Sequence, residues 1–251
     1  ISTIQNYYFD VATNGLLAFM KVRSLYAPEY VKKIKAEHDF YTGVLKNTFM
    51  VEEAAPLIEV VFDSLQHLYP NFKPFQVCFA IGAMRTGGTT TEEFILIGTE
   101  LTTTGATEKI PQRIKSIIAH EAIHTQQKYQ LQPGAIACFQ LDECLDEGIA
   151  NFIAELITGT TNYSETDTYG YAHEMELWLD FKSTLCAANT VNWLYNGATA
   201  GDRPADLGYF IGYRIAKTYY QNASDKQQAI IELIECDDPL ALLLKSGYDG
   251  K

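Results

Sequence analysis

The chain has 251 residues, 47% of them hydrophobic and 12% aromatic, enough for one large core or for two lobes that share an interface. A formal net charge of -12, with no Lys/Arg stripe to offset it, argues against nucleic acid as a partner. Its 20% charged content, without biased tracts or repeats, excludes a disordered or coiled-coil chain, and no apolar run approaches the roughly 20 residues of a membrane-spanning helix.

In residues 1–69 the apolar positions recur at helical spacing, with breaks at Ala27-Pro28 and Lys46-Asn47, which predicts about three helices. The last of them carries Val51, Ala54, Ala55, Ile58, Val61, Phe62, Leu65 and Leu68 on one face and stops at Tyr69-Pro70-Asn71. Two short β-branched and aromatic runs, 75–81 and 94–98, read as strands, and the Gly/Thr-rich stretch 86–91 between them reads as a turn.

Pro111 suits the first turn of a helix running to about Tyr129, before Pro133-Gly134 interrupts the pattern. A second helix is predicted over 142–157, stopped by Thr158-Gly159. Helices follow at 168–185, 206–221 and 225–235, with a short one at 239–244, and 197–204 reads as a loop. The expected fold class is α+β, mostly helical with one small sheet. It is expected to form one domain over 1–251: an N-terminal helical part (1–70), a sheet plus a central helix pair (71–160) and a C-terminal helical part (161–251).

The five cysteines, Cys78, Cys138, Cys144, Cys186 and Cys236, contain no C-x-x-C pair and are odd in number. Their apolar contexts point to buried free thiols, with one or two disulfides in an exported protein as the alternative. The chain begins at Ile1 rather than Met, so an upstream segment such as a secretory signal is compatible with it.

His120-Glu121-Ala122-Ile123-His124 carries the chemistry. On a helix, positions i and i+4 lie one turn apart on a single face, so both imidazoles can share one Zn²⁺. Glu121 lies about 100° round the helix, placed to take a proton from a water at the metal without itself coordinating it. With five histidines in the chain, this pattern arises by chance in about one such sequence in a hundred. The flanking Ile114, Ile117, Ile118 and Ile123 mark the helix as buried, where imidazoles need partners.

A catalytic zinc takes three protein ligands and keeps one position open. In Leu145-Asp146-Glu147-Gly148-Ile149-Ala150-Asn151 the sequence resembles the gluzincin metallopeptidases, whose second helix supplies a Glu as third ligand. That resemblance implies Glu147, with Glu143, one turn earlier, as the alternative. Asn151 stands where several gluzincins have an Asp that orients a ligand His, and Asp146 replaces the more usual Asn.

The sequence more closely resembles the DUF2268 group of predicted zinc-dependent proteases and the related gliding-motility GldB-like lipoproteins. The shared features are His-Glu-Ala-Ile-His-Thr-Gln-Gln, the passage from Thr86-Gly87-Gly88-Thr89 to Ile97-Gly98, Leu145-Asp146-Glu147-Gly148-Ile149-Ala150, and Leu207-Gly208-Tyr209-Phe210-Ile211-Gly212-Tyr213. The resemblance implies a zincin-like fold, Zn²⁺ as cofactor and a peptide or protein substrate. It also implies export to a bacterial cell envelope, periplasmic or surface-bound, with any lipid anchor lying upstream of these residues.

It further implies a Tyr or His downstream of the third ligand to steady the oxyanion. Tyr209 and Tyr213 are the expected donors, and His173 is a third possibility. His173-Glu174 is followed by Leu177 where a second metal motif would need His, and His38 and His67 read as ordinary helix residues. Zincins present an edge strand to substrate, for which 94–98 is the candidate, an internal strand being the alternative. Two functions remain in view: peptide hydrolysis through a zinc-activated water with Glu121 as general base, or a non-enzymatic zincin-like protein of envelope assembly.

Overall fold

A computed structural model describes residues 1–127, 133–160 and 165–251. In chain order the helices are α1 (Ser2–Ile4), α2 (Asn14–Arg23), α3 (Ala27–Ala36), α4 (His38–Val44) and α5 (Ala55–Leu68), with a π turn at Gln5–Phe9 and a 3-10 stretch at Asn47–Ala54. Strands β1 (Gln76–Ala80), β2 (Gly88–Thr90) and β3 (Phe94–Gly98) follow, then α6 (Thr99–Thr102) and α7 (Ile110–His124). The rest is α8 (Phe139–Thr158), α9 (Glu165–Ala172), α10 (Glu174–Ser183), α11 (Leu207–Asn222), α12 (Lys226–Ile234) and α13 (Pro239–Ser246). The fold is α+β and mostly helical, and no helix among the described residues is long and apolar enough to cross a membrane.

The chain divides into two compact units, residues 1–64 with 72–125 and residues 65–71 with 126–251. In the first, Phe9, Phe19, Leu25, Tyr30 and Leu96 form a buried cluster, and Gly15 lets α2 approach Cys78 of β1. The sheet order is β1-β3-β2, with β1 parallel and β2 antiparallel to β3. This corrects two expectations. Part of the Gly/Thr-rich stretch read as a turn is a strand, and 94–98 is the central strand, the internal alternative rather than the edge, so the edges of the sheet are β1 and β2.

The loop leading into β2 is under backbone strain. Ala83 and Met84 have φ of 51° and 58°, in the left-handed region unfavourable to residues with a Cβ. Fully buried Glu100 holds it, its carboxylate accepting the backbone N–H groups of Gly82 at 3.0 Å and Met84 at 2.7 Å. Burying a carboxylate is costly unless it is well bonded, so these two donors both satisfy Glu100 and fix where β2 begins.

In the second unit α8 and α11 cross at glycines. A Cβ at Gly148 would collide with the backbone of Gly212 and Tyr213, and one at Gly212 would collide with the Cys144 carbonyl. The predicted stop at Gly159 is present, with φ of 67° at the C-cap of α8. The single helix expected over 168–185 is two, broken at His173, whose N–H is shared between the carbonyls of Tyr169 and Gly170. The helix expected to reach Tyr129 ends at His124, and Tyr129 lies outside the described residues.

The expectation of free thiols throughout also needs correction, because Cys138 and Cys186 form a disulfide. Cys138 is the N-cap of α8, and Gln140 ties the same two segments together: its N–H bonds Ala187 O at 3.1 Å and its amide bonds Thr184 O at 3.0 Å. Cys78, Cys144 and Cys236 are free.

Candidate metal centre

Helix α7 is built around a buried isoleucine stripe, Ile110, Ile114, Ile118 and Ile123, with Ala119 and Ala122 filling the same face. That burial fixes the rotation of the helix and leaves His120, Glu121 and His124 half-buried. The two imidazole Nε2 atoms lie 3.0 Å apart, so both rings aim at one point. Glu121 faces β2: a Cβ at Gly88 would fall 2.5 Å from Glu121 Oε1. With any other residue at that strand position, the carboxylate would have to move.

Helix α8 supplies the acidic groups. Its buried face of Leu141, Cys144, Leu145, Ile149 and Phe152 leaves Asp142, Glu143, Asp146 and Glu147 half-buried on the other side. Among the described residues, His120, His124 and Glu147 form a group able to hold a metal ion, with one ligand atom from each lying within 4.8 Å of the others. Glu143 is not part of that group. Burial, together with the Asp142 and Glu147 charges, raises its carboxyl above the usual range, and burial alone raises that of Asp142.

Two tyrosines converge on Glu147. Tyr209, in the first turn of α11, hydrogen-bonds the Glu147 carboxylate and the Tyr195 hydroxyl. Tyr195 donates to Glu147 Oε1 at 2.5 Å. Burial, then the Glu147 charge, pushes both phenols well above their ordinary value. Tyr213, named from sequence beside Tyr209, is one helical turn further on and engaged elsewhere: its hydroxyl donates to Glu155 and accepts from Lys217 Nζ. His173 stacks on Tyr169 and pairs with Glu176.

Tyr195 is absent from the sequence reading. Its signal there is faint, a Tyr195-Asn196-Gly197 turn ahead of Asp206, and no periodicity links it to Glu147.

Two imidazoles one helical turn apart and a carboxylate from a second helix are a donor set that could hold a metal ion. The family model described as predicted Zn-dependent protease (DUF2268) matches residues 86–237, well over half of the chain, and the chain belongs to that family. No curated protein and no solved structure matches it.

Proposed function

We propose that the chain is a zinc metallopeptidase of gluzincin type, with His120, His124 and Glu147 as metal ligands and Glu121 as general base. The convergence of those three ligand atoms, with Glu121 left out of the set, carries this reading. The donors suit zinc. Two nitrogens and one oxygen are a common catalytic zinc set, and 3.0 Å between the Nε2 atoms is near the roughly 3.3 Å edge of a tetrahedron with bonds of about 2.05 Å.

When bound, zinc polarises the scissile carbonyl and makes water acidic enough to give up a proton near neutral pH. Glu121 accepts that proton and returns it to the leaving amine. Tyr209 orients Glu147, while Tyr213, committed to Glu155 and Lys217, has no part in this reading. Edge strand β2, lying against Glu121, pairs with the main chain of the peptide. The Cys138–Cys186 disulfide favours an oxidising compartment and hence an exported protein.

Metal removal tests the reading. Zinc-loaded protein is expected to cleave members of a mixed peptide library followed by mass spectrometry, to lose this activity on chelation and to regain it with stoichiometric zinc. A library left intact by zinc-loaded protein overturns the proposal and favours the non-enzymatic envelope role. Gly88→Ala probes the β2 contact. Its methyl group displaces the Glu121 carboxylate, and a misplacement of about 1 Å can cost roughly 10²-fold in rate. Hydrolysis is expected to fall by that order while zinc content is unchanged, and wild-type turnover would remove Gly88 from the site.

A further inference from the structure

Between β1 and β2 the chain is held at almost every residue. The Ile81 carbonyl accepts the Tyr8 hydroxyl at 2.9 Å and that of Tyr30 as well. Gly82 and Met84 give their N–H groups to Glu100, and the Arg85 N–H returns to Gly82 O at 3.1 Å. Arg85 pairs with Glu29, the Thr86 hydroxyl bonds Gly88 O, and Gly87 O accepts the Gly98 N–H at 3.0 Å. A Cβ at Gly98 would collide with Thr86 O, so the loop lies close against the end of β3. This rail ends at Gly88, against the Glu121 carboxylate.

Joining two strands does not require such a loop. Ala83 and Met84 are consecutive residues in the left-handed region, where glycine is the ordinary choice, and a fully buried carboxylate is committed to the N–H groups on either side of Ala83. Strain of this kind persists where surrounding structure over-determines it, and it gathers at functional sites. The carboxylate itself stands on firm ground. Glu100 lies in the first turn of α6, directly after β3, the strand that pairs with β2. One side chain therefore ties the loop to the centre of the sheet, with its last bond at Met84, four residues before Gly88.

We propose that Glu100 is a positioning residue for Glu121: by clamping the loop it sets how closely β2 approaches α7, and so where the proton-accepting carboxylate sits. This rests on the peptidase reading above. Glutamate has three side-chain torsions, and the Gly88 backbone is the wall that limits them here. A strand that slackens removes the wall, and a misplacement of about 1 Å can cost roughly 10²-fold in rate.

The test is a double-mutant cycle on full-length, zinc-loaded protein: wild type, Glu100→Ala, Glu121→Gln and the double variant. It reads kcat and KM on the peptide that wild type cleaves fastest, zinc content, thermal midpoint, and amide exchange of residues 87–90 by mass spectrometry. Glu100→Ala is expected to lower kcat by about 10²-fold and to speed exchange at 87–90, with KM and zinc content unchanged. In the Glu121→Gln background the same substitution is expected to cost less than about twofold, because the carboxylate it places is gone. Glu100→Gln is the milder variant and serves where Glu100→Ala does not fold. An amide oxygen in place of Oε1 keeps the bonds to Gly82 and Met84, while the amide nitrogen in place of Oε2 faces the Gly82 N–H at 3.0 Å, donor against donor. Its kcat is expected to fall about tenfold, again only while Glu121 is present.

Wild-type kcat or wild-type exchange in folded Glu100→Ala overturns the proposal and leaves the peptidase reading standing, as does wild-type kcat in Glu100→Gln where the alanine variant does not fold. Equal fold-losses in the two backgrounds, or a kcat loss matched by lost zinc, also overturn it and make Glu100 a support for the fold alone. A zinc-loaded wild type that cleaves no peptide overturns the peptidase reading and this proposal with it.

Discussion

Glu121→Gln is expected to lower peptide hydrolysis by about 10²–10⁴-fold while the protein keeps one zinc per chain, measured by elemental analysis alongside the peptide assay. Glutamine matches the shape of glutamate and still offers an oxygen towards β2, so the contact at Gly88 survives. What it lacks is a group that binds a proton at neutral pH. The loss corresponds to roughly 3–5 kcal/mol of barrier, at about 1.4 kcal/mol per tenfold change. Zinc stays because Glu121 lies outside the His120, His124 and Glu147 group. His120→Ala provides the contrast, losing a ligand and with it both metal and turnover. Full activity in Glu121→Gln would remove the general-base assignment.

The His-Glu-x-x-His helix was legible because its meaning is local: helical spacing alone sets two imidazoles side by side, and the isoleucines that orient them sit within the same fifteen residues. Glu147 was reached only through the resemblance of the α8 stretch to the gluzincin metallopeptidases, with Glu143 as the alternative, and His120, His124 and Glu147 form the group that could hold a metal. Strand β2 was not. Three residues, Gly88-Thr89-Thr90, are too few to show a period of two, and glycine there answers to Glu121 some thirty positions later. The disulfide escaped for a related reason, since which cysteines meet depends on how α8 and α10 pack, and spacing carries no record of it. Tyr195 is the extreme case: its placement follows from Asp206 and Asn196 across a loop, and nothing near it in sequence announces a tyrosine aimed at Glu147.

Gly212→Ala is expected to lower stability by about 3 kcal/mol or more, the upper part of the overpacking range, because the clash is with main chain that no rotamer change relieves. The added Cβ would land on the Cys144 carbonyl oxygen, with Gly148 Cα only 3.1 Å away, so α8 and α11 must separate. For a chain of this length that loss lowers the melting midpoint by about 6–12 °C in calorimetry. The consequence extends to the site. Tyr209 lies three residues before Gly212 on α11 and Glu147 directly precedes Gly148 on α8, so parting the helices pulls the tyrosine from the carboxylate. Zinc affinity is therefore expected to fall in the folded variant as well. Gly197→Ala is the control, since nothing lies within 4 Å of a Cβ there and the backbone is not left-handed. An unchanged midpoint in Gly212→Ala would mean that the helices do not meet at these glycines. A lowered midpoint with wild-type zinc affinity would mean that the crossing carries stability alone and does not set the position of Glu147.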